Sequence, residues 1–550
     1  MIKSKMIAVL AGALGLASSA CVEQGEDRLS DEANADASMA GEAEVPLEDQ
    51  LSAAQIEACV ELDPRSCDEA ALAGCVGSLE LRAPTAPGVS PELGCALFSD
   101  AQLAQFDVIE QYAADMRDYT GYAEAIDFEL LEAIAKLRVI LGGGEDYAFA
   151  KAIYGIFSGV PQGHASIGFV DLQFSDCYAP DGLVPGRGVS WYGVCARESG
   201  GTSLVTHVED ANPLGLEPGD RIIRARKGNQ HWVWPFMLSQ VRQEPLCDAA
   251  TPSVAAQRDL DALHLFAHVD VGDELEVLHV DGTTEIIEVP ERDDYTLCMD
   301  PFRRPSRVEL FASYQRPDGV VVVELPTFGQ HPDHPFPAPL TFQAYRDWNA
   351  EAVELVNAEL AQYEDVAGLV WDIRGNRGGS AEYAMALLGG LGDAAGGLGN
   401  CYARVPGSQP PAFGDSPEYP FPYAIFVDQP LPTIGFDGPT AIVSDGAAGS
   451  AADWMMYRAS ELGIPTFGHA TVGAFGYATG GSYVDKSIAE TPDEHIAIFS
   501  RISGAHCLDA EGEPLEGRSF VEHVVDLDAD DLAAGVDTQI EAAASFLLEQ

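Results

Sequence analysis

Basic residues are scarce in this sequence. The chain of 550 residues has 30 Lys and Arg against 87 Asp and Glu, which gives a formal net charge of −57. A nucleic-acid-binding face needs clustered basic side chains to contact phosphates. The composition therefore excludes nucleic acid as a partner, and it predicts a self-repelling surface suited to a salty or extracellular medium.

Long apolar runs are missing beyond the N-terminus. Residues 1–21 place Lys3 and Lys5 before the apolar stretch Met6–Ala17, which is the pattern of a short export signal and not of a membrane span. The small residues before Cys21 resemble a bacterial lipoprotein cleavage site. We expect a lipid anchor at Cys21 as the only membrane contact, on the outer membrane or cell surface, with simple secretion or a periplasmic location as the alternative.

Cysteine pairs at zinc-finger spacing are absent and the histidines are scattered, so we expect neither a metal nor a cofactor. Ten cysteines besides Cys21 allow up to five disulfides in an exported chain. The first four, from Cys59 to Cys95, predict a small stapled region. Neighbours in sequence suggest Cys177 with Cys195 and Cys247 with Cys298, and the connectivity stays open.

Composition and periodicity divide the chain into six segments. These are a signal (1–21), a disordered acidic tether (22–55), a small Cys-rich region (56–100), a helical part that ends in a strand (101–185), a β-rich module (186–292) and an α/β core (305–550). His164 follows a glycine turn at the start of the strand His164–Val170. Within the module, Pro218-Gly219-Asp220 resembles the turn that leads into a strand of PDZ domains.

Two strand–turn–helix segments of the core have the residue types of an acyl-transfer site. The strand Gly368–Ile373 runs into a glycine-rich turn that lacks the ending of a P-loop, so a backbone N–H of Gly378 or Gly379 is a candidate oxyanion donor. In the second segment, Ser450 lies where a small-residue turn becomes helical, beside N–H groups at the helix start. Ser450 is a candidate nucleophile, and a simple helix N-cap is the alternative.

The order of these pieces resembles the C-terminal processing and tricorn-type serine peptidase family. Later segments extend the resemblance: Gly468–Gly473 is similar to the family's Gly-x-x-Thr-x-Gly turn, and 515–521 with 530–540 to its C-terminal block. The resemblance implies an α/β fold with a crotonase/ClpP-like core, an inserted PDZ-like β-rich module and an N-terminal helical, disulfide-bearing region.

The family has two catalytic branches, and the sequence distinguishes them. Ala474 stands where the processing branch has a lysine base, and Lys486 is too far along the chain to match. The tricorn-like branch implies a triad of Ser450, His164 and Glu516, although Gly163 stands where that branch has a serine. The resemblance adds the backbone N–H groups of Gly378 or Gly379 and of Ala451 as the oxyanion hole. His469 and His506 are rival bases.

These features predict an exported serine endopeptidase that hydrolyses polypeptide substrates engaged by the PDZ-like module. Two alternatives remain: a catalytically inactive ligand- or peptide-binding protein on the same scaffold, and a serine esterase of non-peptide substrates. Arg374, with Asp372 or Asp453, is expected to fix a loop and not to react.

Overall fold

The computed structural model describes most of the chain from residue 52 onwards. The described residues are 52–62, 69–76, 98, 100–119, 126–141, 146–160, 166–170, 192–209, 212–226, 232–234, nine positions from 253 to 269, 271–291, 310–329, 334–335, 342–388, 400–404, 413–414, 432–476, 482–487, 497–502, 505–509 and 511–550. The predicted signal, residues 22–51 of the acidic tether and His164 lie outside them, whereas the last residues of the tether, predicted to be disordered, belong to a helix that begins at Ala53.

In the described residues of the N-terminal part there are five helices. They are α1 (Ala53–Val60), α2 (Glu69–Val76), α3 (Asp100–Tyr119), α4 (Phe128–Leu141) and α5 (Asp146–Ser158). Apolar residues at helical spacing give them a shared core with Phe106, Tyr112 and Phe149. A disulfide joins Cys59 of α1 to Cys75 of α2, as the clustering of the first cysteines suggests.

The β-rich module is one antiparallel sheet in the order β2-β3-β4-β5-β6. Its strands are β2 (Val194–Ser199), β3 (Thr202–Val208), β4 (Arg221–Arg226), β5 (Glu274–Leu278) and β6 (Thr284–Glu288). The turn before β4 packs on the core, since a Cβ at Gly219 would lie 2.6 Å from the carbonyl oxygen of Ala529. The backbone at Gly219 also has a φ of +95°, so the predicted Pro-Gly-Asp turn needs glycine for two reasons.

The core is a six-stranded sheet in the order β17-β13-β12-β9-β8-β7, parallel except for β7. Its strands are β7 (Ala312–Gln315), β8 (Val320–Glu324), β9 (Gly368–Asp372), β12 (Thr440–Ser444), β13 (Thr466–Gly468) and β17 (His523–Val524). The surrounding helices are α6 (Phe342–Leu360), α7 (Ala381–Ala386), α8 (Ala451–Leu462), α9 (Ala529–Ala533) and α10 (Thr538–Leu548).

Both faces of this sheet are covered, which explains the near-continuous apolar runs of its strands. Val321 and Val323 of β8 point into the cluster shared with α6, α7 and α8. Val320 and Val322 point to the opposite face, against α10. This period of two divides the strand between two separate cores.

The part of the chain that the structure describes also contains two three-stranded sheets. One has the order β1-β15-β14, from Ser166–Val170, Ala497–Ile502 and Ser482–Ser487; the other has the order β11-β10-β16, from Phe413–Gly414, Asn400–Arg404 and Ala505–Leu508. The predicted α/β core with an inserted β-rich module is confirmed. Among the described residues, no helix has both the length and the apolar character needed to cross a bilayer.

Candidate active site

Ser450 lies in a strained turn at the carboxyl end of β12. Its backbone has a φ of +61° and a ψ of −114°, and α8 begins at the next residue. Among the described residues, only Asp365 is another non-glycine residue with a positive φ. Such a conformation costs about 1–3 kcal/mol and is typical of sites where strain positions a reactive group. A serine in a strained strand-to-helix turn is the arrangement of a nucleophile elbow.

The glycine-rich turn after β9 packs directly against this serine. A Cβ at Gly378 would lie 2.5 Å from the Cβ of Ser450 and 2.8 Å from the backbone nitrogen of Ala451. The next residue, Gly379, packs equally closely on another segment, because its Cβ would lie 2.1 Å from the carbonyl carbon of Phe328. Only glycine at position 378 permits the two turns to approach this closely, and only glycine at position 379 permits the contact with Phe328.

The predicted oxyanion donors lie together at this contact, but they are not equivalent. The N–H of Gly378 donates to Oδ1 of Asn376 at 2.8 Å. Within the part of the chain that the structure describes, the N–H groups of Gly379 and Ala451 form no hydrogen bond to another protein group. Gly379 and Ala451 are therefore the better placed of the predicted donors to hold a developing negative charge.

Asp453 ties the nucleophile turn to the following loop. Its Oδ2 accepts the N–H of Ser450 at 2.7 Å and that of Ala474 at 2.8 Å, and its Oδ1 accepts the N–H of Gly473 at 2.9 Å. Complete burial raises the pKa of this carboxyl to about 6, although the N–H donors favour its charged form. Sequence analysis missed this role, yet the spacing Ser450-x-x-Asp453 is the signature of a capping box.

Glu516 lies against the same loop. Its Oε2 accepts the N–H of Phe475 at 2.9 Å and that of Gly476 at 2.7 Å. The backbones also meet, since the N–H of Gly517 donates to the carbonyl of Gly473 at 2.8 Å. The loop 471–476 thus connects the Ser450 turn, through Asp453, to the carboxylate of Glu516.

A second buried carboxylate organises both turns of the site. Oδ1 of Asp445 accepts the N–H groups of Gly375, Ala447 and Ala448 at 2.9, 2.9 and 3.0 Å. Its other oxygen pairs with the guanidinium of Arg197, which comes from β2 of the β-rich module. The module therefore contributes a buried charge directly beneath the two turns.

The Arg374 side chain fixes the glycine-rich turn from its other side. It pairs with Asp372 at 2.6 Å and with Asp537 at 2.6 Å. The pairing with Asp372 agrees with one of the two predicted arrangements. The other alternative is wrong, because the Asp453 carboxylate is directed to the backbone N–H groups described above.

Comparison with known proteins relates the core to a protein family. Residues 319–498 match the sequence model described as peptidase family S41. They form a peptidase S41 domain. The matched stretch contains the glycine-rich turn and Ser450 of the candidate site. No curated protein sequence matches this chain significantly.

Three solved structures are similar to this chain, and the first agrees with this assignment at the level of the fold. Mature CPAF in complex with lactacystin is 13% identical over 82% of this chain and 98% of its own, with a TM-score of 0.52. The photosystem II D1 C-terminal processing protease is 13% identical over 82% of this chain and 98% of its own, with a TM-score of 0.36. Tricorn protease is 12% identical over 82% of this chain and 37% of its own, with a TM-score of 0.27. The S41 domain supports a peptidase, which is a hydrolase, as the enzyme class.

The predicted base, His164, lies outside the described residues. The strand β1 begins two residues later, and its Ser166 is opposite Arg501 of β15, which in turn is opposite Tyr483 of β14. Lys486 of β14 pairs with Ile498, further along the sheet. At the position where the processing branch has a lysine, Ala474 is buried and its N–H is bonded to Asp453.

The rival base His469 lies where the S41 domain contacts the β-rich module. Its Nε2 is 3.2 Å from Oδ1 of Asp526, and its Nδ1 is 3.8 Å from Oε2 of Glu198. Burial lowers the pKa of His469, but the hydrogen bond to Asp526 and the surrounding carboxylates outweigh it and raise the pKa. Both ring nitrogens thus face carboxylates. The other rival, His506, belongs to β16, opposite Tyr402 of β10.

Proposed function

We propose that this chain is a serine endopeptidase with Ser450 as its nucleophile. The observation that carries the proposal is the strained Ser450 turn packed against the glycine-rich turn, at a contact where the N–H groups of Gly379 and Ala451 have no hydrogen bond among the described residues. A tetrahedral intermediate formed at the Ser450 hydroxyl would place its oxyanion near these donors.

In the proposed mechanism His164 accepts the Ser450 proton as the hydroxyl attacks a peptide carbonyl. The same imidazole then gives this proton to the leaving amine, and a water molecule hydrolyses the acyl-enzyme. Glu516 holds the imidazole in one tautomer and stabilises its charged form. The proposal is supported by the loop 471–476, which joins the Ser450 turn to Glu516, and by β14, which begins six residues after Gly476 and belongs to the sheet of β1.

We also propose that the β-rich module is PDZ-like and engages the polypeptide substrate. Support comes from its five antiparallel strands and from the Pro-Gly-Asp turn before β4. Both β2 and β6 are edge strands of this sheet, and an extended peptide can add to such an edge through main-chain hydrogen bonds.

Export, with a lipid anchor at Cys21, remains part of the proposal. The disulfide between Cys59 and Cys75, together with disulfide-bonded Cys195 and Cys507, supports an oxidising compartment. The mass of the mature N-terminus tests this directly. A lipidated Cys21 supports the anchor, whereas an unmodified new N-terminus indicates simple secretion.

Labelling with a fluorophosphonate probe tests the mechanism. The wild-type chain should be labelled, Ser450→Ala and His164→Ala should not, and Glu516→Gln should be labelled more slowly. Because D→N changes at the orienting acid of serine proteases cost about 10⁴-fold in rate, a large loss is expected for Glu516→Gln. Absence of labelling in folded wild-type protein would refute the proposal that the chain is an enzyme and would favour the alternative of a catalytically inactive binding protein. Hydrolysis of simple esters but not of casein would favour the esterase.

A further inference from the structure

Three ligand-type side chains from distant parts of the chain meet where the β-rich module contacts the core. Glu198 comes from β2, His469 follows β13, and Asp526 follows β17. One carboxylate oxygen of each acid and one ring nitrogen of the histidine all lie within 4.8 Å of one another. Two ligands about 2.1 Å from one zinc ion lie roughly 3.4 Å apart in a tetrahedral site, so small side-chain rotations would bring these atoms to a common centre.

Hydrogen bonds to neighbouring residues hold the Glu198 side chain and the backbone of His469 in place. Oε1 of Glu198 accepts the N–H of Gly201 at 2.9 Å, which leaves Oε2 directed at the histidine. The backbone of His469 is fixed to Ser444 twice, through its N–H and its carbonyl, both at 3.0 Å. Such supporting hydrogen bonds orient metal ligands and lower the cost of assembling them.

The charges around the cluster favour a cation. Two guanidinium groups line the same small cavity, but each is already paired with two carboxylates: Arg197 with Asp259 and Asp445, and Arg374 with Asp372 and Asp537. Adding Glu198 and Asp526, and counting Arg221, which also acts on Asp526, gives six formal negative charges against three positive ones. The cluster therefore carries an excess of negative charge that a divalent ion would offset.

We propose that Glu198, His469 and Asp526 bind a divalent transition-metal ion of the zinc type, which fastens the β-rich module to the core. One imidazole and two carboxylates suit zinc, whereas calcium and magnesium prefer oxygen ligands alone. The Asp526 side chain is 54% exposed, so the ion would have an entry path and a position for water. Sequence analysis predicted no metal because it considered cysteine pairs, and these three ligands are too far apart in sequence to form a motif.

The proposed ion would hold the module in a fixed position on the core, because it joins one ligand of the module to two ligands of the core. His469 lies two residues before Thr471, where the loop that reaches Asp453 and Glu516 begins. This inference is independent of the proposed peptidase activity. Its test accordingly measures metal binding and stability, so that failure of one proposal leaves the other intact.

The experiment is calorimetric titration of zinc into the tag-free mature chain after treatment with a chelator. We expect one strong site per chain, a rise in melting temperature with zinc and not with magnesium, and visible absorption bands when cobalt replaces zinc. Glu198→Gln, His469→Gln and Asp526→Asn should each weaken binding about tenfold or more, since even loss of a supporting hydrogen bond costs about 10–100-fold.

His279→Gln is the matched control. Its ring also lies between two carboxylates, Asp220 at 3.1 Å and Glu285 at 3.4 Å, but both belong to the module and the three do not form a convergent cluster. Zinc affinity should not change in this variant. Absence of a strong zinc site, or equal affinity in the three cluster variants and the wild type, would overturn the proposal, as would equal stabilisation by magnesium.

Discussion

Replacing Gly378 with alanine probes the contact on which the candidate site depends. The new Cβ would lie 2.5 Å from the Cβ of Ser450 and 2.8 Å from both the carbonyl oxygen of Gly449 and the nitrogen of Ala451. Two carbon atoms in contact are normally about 3.5–4.0 Å apart. The Ser450 turn and the glycine-rich turn must therefore separate by about 1 Å.

This separation should reduce the rate of acylation much more than it reduces binding. A misplacement of about 1 Å near reacting groups costs roughly 10²-fold in rate. The residue must also keep a φ of +96°, and such a backbone costs a non-glycine residue about 1–3 kcal/mol. We expect kcat/KM and the rate of fluorophosphonate labelling to fall about 100-fold, with a decrease in the free energy of unfolding.

Gly512→Ala separates backbone strain from steric clash. Gly512 has a φ of +89°, and a Cβ there would have no neighbour within 4 Å. This variant should lose stability through strain alone and keep the labelling rate of the wild type. Should Gly378→Ala react at the wild-type rate and lose no more stability than Gly512→Ala, the two turns do not form the reactive site.

Three further predictions concern buried or strained groups. Because burial raises the pKa of Asp453 from 3.8 to about 6, the folded state binds this proton more tightly than the unfolded state. The contribution of the Asp453 carboxyl to the free energy of unfolding should thus fall by about 3 kcal/mol as the pH rises from 3.8 to about 6. Urea denaturation measures this decrease, and the Asp453→Asn variant should lack it. Arg197→Met should cost about 3–5 kcal/mol because it leaves buried carboxylates without their cation, whereas Arg224→Met, whose side chain is 49% exposed, should cost under about 1 kcal/mol in the same assay. Ser450→Gly should have a free energy of unfolding about 1 kcal/mol higher than that of Ser450→Ala, because glycine relieves the backbone strain; its melting temperature should be higher accordingly. Neither variant should be labelled. Equal stabilities of the two variants would mean that the turn is not strained.

Local sequence patterns predicted much of the fold, because periodicity reports which face of an element is buried. The helix Phe128–Leu141, the helix Phe342–Leu360 and the strand Arg221–Arg226 have the predicted bounds. The strand Val320–Leu325 was predicted one residue too long, since β8 ends at Glu324. Such differences are expected where a strand end depends on its neighbour in the sheet.

The candidate site was predictable where it depends on short motifs, and unpredictable where it depends on contacts between them. The residue types and spacing around Ser450 and in the glycine-rich turn indicated a nucleophile and oxyanion donors. No local pattern indicated that Gly378 would pack against Ser450. The pairing of Arg197 with Asp445 was equally hidden, because those two residues are 248 positions apart.

The sequence by itself determined the elements, their order and the residue types available for acyl transfer, since these depend on periodicity and on backbone preferences over a few residues. Tertiary structure decided how the elements combine. It packed Gly378 against Ser450, directed the Asp453 carboxylate to three N–H groups, and joined Glu198, His469 and Asp526 at one junction. Apart from the bond between Ser450 and Asp453, these contacts link residues distant in the chain, and only the folded backbone sets the distances between them.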